Sequence, residues 1–101
     1  MMMEMLSFKE VMKKHGKTLK QYTPVVERVH GAHHPEFHEV RRLVDVILAK
    51  TKIAGVNLPP LGEEFAKLRE ITKKYTIPTD VCESYEAVYN MLAELDRAYS
   101  H

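Results

Sequence analysis

A chain of 101 residues is long enough for one domain with its own core, and its 45% apolar content is that of a globular protein rather than a disordered one. Fifteen basic residues against fourteen acidic ones leave no overall field for nucleic acid or a charged membrane, and a single Cys excludes an internal disulfide framework. No run approaches the ~20 apolar residues of a membrane span, so a cytoplasmic domain spanning 1–101 is expected, with neither nucleic acid nor membrane as partner.

The segment Met1-Met2-Met3-Glu4-Met5-Leu6 is too short and too soon charged for a signal peptide. A loose terminus is expected there, with an apolar self-association patch as the other reading. Ser7-Phe8-Lys9-Glu10 has the form of a capping box that opens a first helix. Gly16 is expected to end or loosen that helix, and Thr23-Pro24 repeats the start signal, Thr23 as N-cap and Pro24 at the first position. A kinked or two-part first helix between about 7 and 30 follows, with Lys9, Lys13, Lys14, Lys17 and Lys20 as a solvated basic face.

Val25 to Val40 holds four of the six histidines. His30 falls in a last helical turn, Gly31 just beyond it in the left-handed conformation, and Pro35-Glu36 in the first turn of the next helix. That second helix is expected from Pro35 to about Lys50, with Phe37, Val40, Val44, Ile47 and Leu48 inward. Ala54 to Pro60 is a break. A third helix over about 61–75 turns Leu61, Phe65, Leu68, Ile71 and Tyr75 inward. Asp80 and Glu83 form a second capping box for a fourth helix reaching about Tyr99, whose stripe is Val81, Tyr85, Val88, Leu92, Leu95 and Tyr99. No segment reads as a strand. The fold class is therefore all-α, an antiparallel up-and-down four-helix bundle with neighbours crossing at about 20°.

Two segments carry a resemblance. Val29-His30-Gly31 followed by His34-Pro35-Glu36-Phe37 and Val40 resembles the Val-His-Gly-x-x-His-Pro-Glu-Leu-x-x-Val segment of hemerythrin-like iron–sulfur cluster repair proteins. Leu68-Arg69, Ile71-Thr72, Tyr75-Thr76, Pro78 and Cys82, then Tyr89-Asn90 and Glu94-Leu95, resemble the segment that joins the third and fourth helices in that family. The two matches cover residues 25–48 and 65–95. The resemblance implies a hemerythrin-like bundle, a di-iron centre held by histidines and carboxylates, and a link to nitrosative and oxidative stress.

The family hallmark, His-x-x-x-Glu, does not occur in this sequence. His30 alone falls on a position that the family uses as an iron ligand. The place of the ligand His on the first helix falls near Lys9, Leu48–Leu61 stands where the middle hallmark belongs, and the last would begin at or just past His101. The resemblance therefore implies a shortened relative without a di-iron centre, a non-catalytic binding or oligomerising module in stress or iron–sulfur metabolism. The alternative is an iron- or zinc-binding protein using the cluster His30, His34, His38 and Glu36, with His33 and Glu39 beside it, completed across a homodimer. The bland reading of the same residues has His34 capping the second helix, His30 packing at the end of the first, and the others solvated.

Cys82 lies at the start of the fourth helix, where a helix N-terminus favours thiolate over thiol. It reads either as a small buried hydrophobe beside Val81 or as a redox- or nitric-oxide-sensitive thiol. No nucleophile–base pair, phosphate-binding glycine loop or paired-carboxylate signature appears, so no catalytic residue is assigned.

Overall fold

The computed structural model describes residues 7–100; the expectations for Met1–Leu6 and His101 lie outside them. Four helices follow one another, α1 Phe8–His30, α2 Glu36–Ala54, α3 Gly62–Ile71 and α4 Glu83–Tyr99, with no strand among the described residues. None of these helices is long and apolar enough to cross a membrane.

The capping box forms as expected: Glu10 N–H donates to Ser7 Oγ at 3.2 Å, and Ser7 N–H donates to Glu10 Oε1 at 2.9 Å. From there α1 runs without interruption through Gly16 and Pro24, which corrects the two-part reading. Thr23 caps nothing; its hydroxyl donates to the Leu19 carbonyl one turn back, and the residue is buried. A proline inside a helix costs about 3 kcal/mol. Leu19 and Val26, on the same face and both 1% exposed, offset that at roughly 1.5–3 kcal/mol each. Burial on both sides of Pro24 therefore outweighs the local start signal.

Gly31 is also not left-handed. Its φ of −58° and ψ of −29° are right-handed helical, and its N–H donates to Glu27 O at 2.8 Å. What demands glycine there is space: an added Cβ would sit 2.5 Å from the Glu27 carbonyl oxygen and 2.8 Å from the His38 ring. The left-handed glycine is Gly55, at φ 60°, where α2 ends four residues later than Lys50.

α2 buries Phe37, Val40, Leu43, Val44 and Ile47, while Leu48 lies at the margin of the core. α3 ends at Ile71 rather than Tyr75, because Lys73, Lys74 and Tyr75 take φ values of 52°, 57° and 62°. Three successive non-glycine residues in the left-handed region carry strain, and one local and one long-range bond hold them. Tyr75 N–H donates to Thr72 Oγ1 at 2.8 Å, and Tyr75 Oη–H donates at 2.8 Å to the carboxylate of Asp96, itself 6% exposed and also bonded by Arg69 Nε. α4 turns Tyr85, Val88, Leu92 and Leu95 into the core as expected, and Tyr89 and Met91 with them; Val81 and Tyr99 pack at its margin.

α1 packs against both α2 and α4, and α2 against α3. At one end of the molecule Phe8 meets the rings of Phe65 and Tyr99 edge-on, and Tyr99 Oη accepts from Leu61 N–H while donating to Pro59 O. At the other end the last turn of α1 meets the first turn of α4, which brings the histidine segment against Cys82.

Candidate functional site

The end of α1, the turn after it and the start of α2 hold His30, His34 and Glu36 over the first turn of α4. His30 Nε2 lies 3.1 Å from Cys82 Sγ. Cys82 is the N-cap residue of α4 and is exposed, so it is not the small buried hydrophobe that the sequence favoured. The side chains of Asp80 and Glu83 form no capping box; the Asp80 carboxylate is engaged by a histidine instead.

That histidine is His34. Its Nδ1 lies 3.1 Å from Glu36 Oε2 and its Nε2 lies 3.0 Å from Asp80 Oδ1. Both ring nitrogens face carboxylates, an arrangement only the imidazolium satisfies with two donors. Burial pulls the His34 pKa down, but the bonds to Glu36 and Asp80 together outweigh it and hold the ring above its ordinary 6.5. For Asp80, burial pushes the carboxyl up, and its backbone bond and His34 outweigh that to keep it below the usual carboxylate range. His34 places no side-chain bond on the helix start, so it is not a side-chain cap.

The rings of His30 and His34 each meet Tyr85 at 5.4 Å between centroids. Tyr85 Oη lies 3.0 Å from Tyr89 Oη and 3.5 Å from Glu36 Oε2, so the polar chain runs from Asp80 through His34 and Glu36 into the core. Burial pushes both tyrosine hydroxyls up, away from ionisation. Beside this chain a cleft of about 510 Å³ opens between His34, Glu36 and Tyr89 on one side and Thr72, Lys73 and Thr76 on the other. Lys73, the first residue of the left-handed turn after α3, is among its lining residues.

The other two histidines of the segment face elsewhere. His38 Nδ1 lies 2.8 Å from Glu27 Oε2, and Arg41 Nη1 donates to the other oxygen of Glu27 at 2.7 Å. The bond from His38 and then that from Arg41 hold the Glu27 carboxyl below the usual range. His33 is exposed, and Glu39 pairs with Arg42 along α2. Of the expected ligand set, His34 and Glu36 are in contact with each other, whereas His30 is engaged by Cys82 and His38 by Glu27, and Asp80 takes the second nitrogen of His34. Among the described residues no group of three or more His, Cys, Asp or Glu side chains converges as a metal site. Among the described residues, these side chains are not gathered around a position that a dinuclear iron centre could occupy.

The structure therefore brings together His30 with Cys82 and His34 with Glu36, and leaves His38 apart. Sequence reasoning missed the imidazole–thiol pair, since its members stand 52 positions apart. It also missed the role of Asp80 and the Tyr85–Tyr89 pair. Only the tyrosines left a signal, their four-residue spacing on one helical face. Comparison with protein-family models, with curated proteins and with solved structures finds no match to this chain.

Proposed function

We propose that the chain is a shortened relative of the hemerythrin-like iron–sulfur cluster repair proteins. In this reading it keeps an antiparallel up-and-down bundle in the cytoplasm and works, without a di-iron centre, as a non-catalytic binding or oligomerising module in stress or iron–sulfur metabolism. The observation that supports it most is the dispersal of the histidines: His30 bonds Cys82, His34 bonds Glu36 and Asp80, and His38 bonds Glu27. A dinuclear centre needs such side chains to converge from facing helices. Tyr22, Val25 and Val29 add to the reading, since they leave an exposed apolar stripe at helical spacing on α1 that a second copy in a symmetric dimer would cover.

Titration with Fe(II) and with Zn(II), followed by the thermal midpoint, tests the reading. A ligand that binds only the folded state adds about 2.7 kcal/mol at a hundredfold excess over its Kd, and no such shift is expected with either metal. A shift of that size, lost when His30→Ala and His34→Ala are combined, would replace the reading with an iron or zinc site at His30–His38. One contact favours that second reading, the close approach of His30 Nε2 and Cys82 Sγ, both of them metal-binding atoms. A second chain would have to supply the remaining ligands.

A further inference from the structure

A second concavity lies away from the histidines, between the outer faces of α1 and α2. This groove, of about 530 Å³, is lined by Met12, Gly16, Leu48 and Ala49 and by the charged residues Lys17, Lys20, Lys52 and Asp45. Met12 is buried and Leu48 half-buried, whereas the three lysines are exposed, so apolar atoms make the floor and ammonium groups the rim. Gly16 keeps the floor low: a Cβ there would come within 3.2 Å of Met12 Sδ. The single acid at the rim, Asp45, is already faced by Arg41 Nε at 3.4 Å. Lys17, Lys20 and Lys52 have no ion-pair partner among the described residues, unlike Lys14 with Glu94 and Lys50 with Glu64.

We propose that this groove docks an amphipathic helix of a partner protein that carries apolar residues on one face and carboxylates beside them. The inference rests on the reading of the chain as a binding module and names the chemistry of its partner. A helix laid between two helices puts its apolar side chains into such a trough, and carboxylates flanking that stripe then meet the three lysines. An anionic membrane is the weaker fit. A lipid surface is entered by apolar side chains that protrude beyond the charges, and here the apolar atoms lie beneath them. The large hydrophobic side chains that do protrude, Tyr22, Val25, Val29, Ile53, Val56 and Leu58, are not among the groove's lining residues.

The probe is a designed, fluorescein-labelled helical peptide with leucines on one face and glutamates flanking that stripe on both sides. Its control keeps the leucines and replaces every glutamate with lysine. Fluorescence anisotropy with the whole chain should show the acidic peptide binding and the lysine control not binding, with affinity falling as salt rises. Lys17→Glu combined with Lys20→Glu and Lys52→Glu should weaken binding by about tenfold or more. Ala49→Glu, an exposed substitution inside the groove, should weaken it without altering the helical circular dichroism. Equal binding of both peptides, equal binding by the charge-reversed variant, or sedimentation with phosphatidylglycerol vesicles in the absence of peptide binding would overturn the proposal. Its failure leaves the metal titration untouched, so it is separable from failure of the underlying reading.

Discussion

Replacing Gly31 with alanine changes stability in opposite directions according to whether chain entropy or close approach dominates. Gly31 has φ −58° and ψ −29°, values alanine adopts freely, so unfolded-chain entropy alone would make Gly31→Ala stabilising by about 0.4–1 kcal/mol. The new Cβ, however, would lie 2.5 Å from Glu27 O, the carbonyl that accepts the Gly31 N–H bond, and 2.8 Å from the His38 ring. Relieving that contact moves backbone, which puts the bond of about 1 kcal/mol at risk and adds an overpacking cost of about 1–3 kcal/mol. The net expectation is destabilisation by about 1–3 kcal/mol, or a drop of about 4–8 °C in Tm per kcal/mol for a domain of this size. Urea unfolding followed by far-ultraviolet circular dichroism reads it as a lower midpoint at unchanged slope. Gly31→Asn separates close approach from backbone handedness. Asparagine tolerates a left-handed cap better than alanine does, so it should be the milder change if backbone handedness matters and no milder if space does. An asparagine variant clearly more stable than the alanine variant, or an alanine variant as stable as the parent, would refute the close-approach argument.

Other consequences follow from the same contacts. His34 has a raised pKa in the folded state, so its bonds to Glu36 and Asp80 contribute fully below the ordinary imidazole value and are lost as pH rises through the raised one. The urea midpoint should fall across that window in the parent, and His34→Gln should flatten the fall; an unchanged slope in the variant would contradict the assignment. Tyr75→Phe removes a donor from the buried Asp96 carboxylate and should cost about 1.5–3 kcal/mol, measured by urea unfolding. Cys82, exposed at the start of α4, should react with iodoacetamide in the folded protein without denaturant, and His30→Ala should slow that reaction. Sluggish labelling of the folded parent would reject a sensor role for the thiol.

What the sequence made legible was local or periodic. The Ser7–Glu10 box involves residues three apart, and the Phe37–Ile47 and Tyr85–Leu95 stripes repeat at helical spacing, so each could be read without knowing the fold. The misreadings share one cause, a local signal outvoted by packing. Thr23-Pro24 looks like a helix start, but the flanking Leu19 and Val26 are buried and carry α1 through it. Asp80 looks like a cap, but His34 from the α1–α2 turn occupies its carboxylate. The third helix looks longer by four residues, but Tyr75 is drawn to Asp96 on α4. Gly31 looks like a left-handed terminus, and the requirement comes instead from close approach, of the Glu27 carbonyl first and of the His38 ring beside it. At the site, the histidines were visible as a cluster in the chain, yet their partners Cys82, Asp80 and Glu27 are set by packing, and only packing divides them.

Histidines so divided should not hold iron together. Metal analysis of tag-free protein from iron-supplemented cells, taken with its visible absorption spectrum, tests this most directly. Substoichiometric iron and no oxo-bridge absorption are expected; two irons per chain with that absorption would show that the histidines do gather around metal.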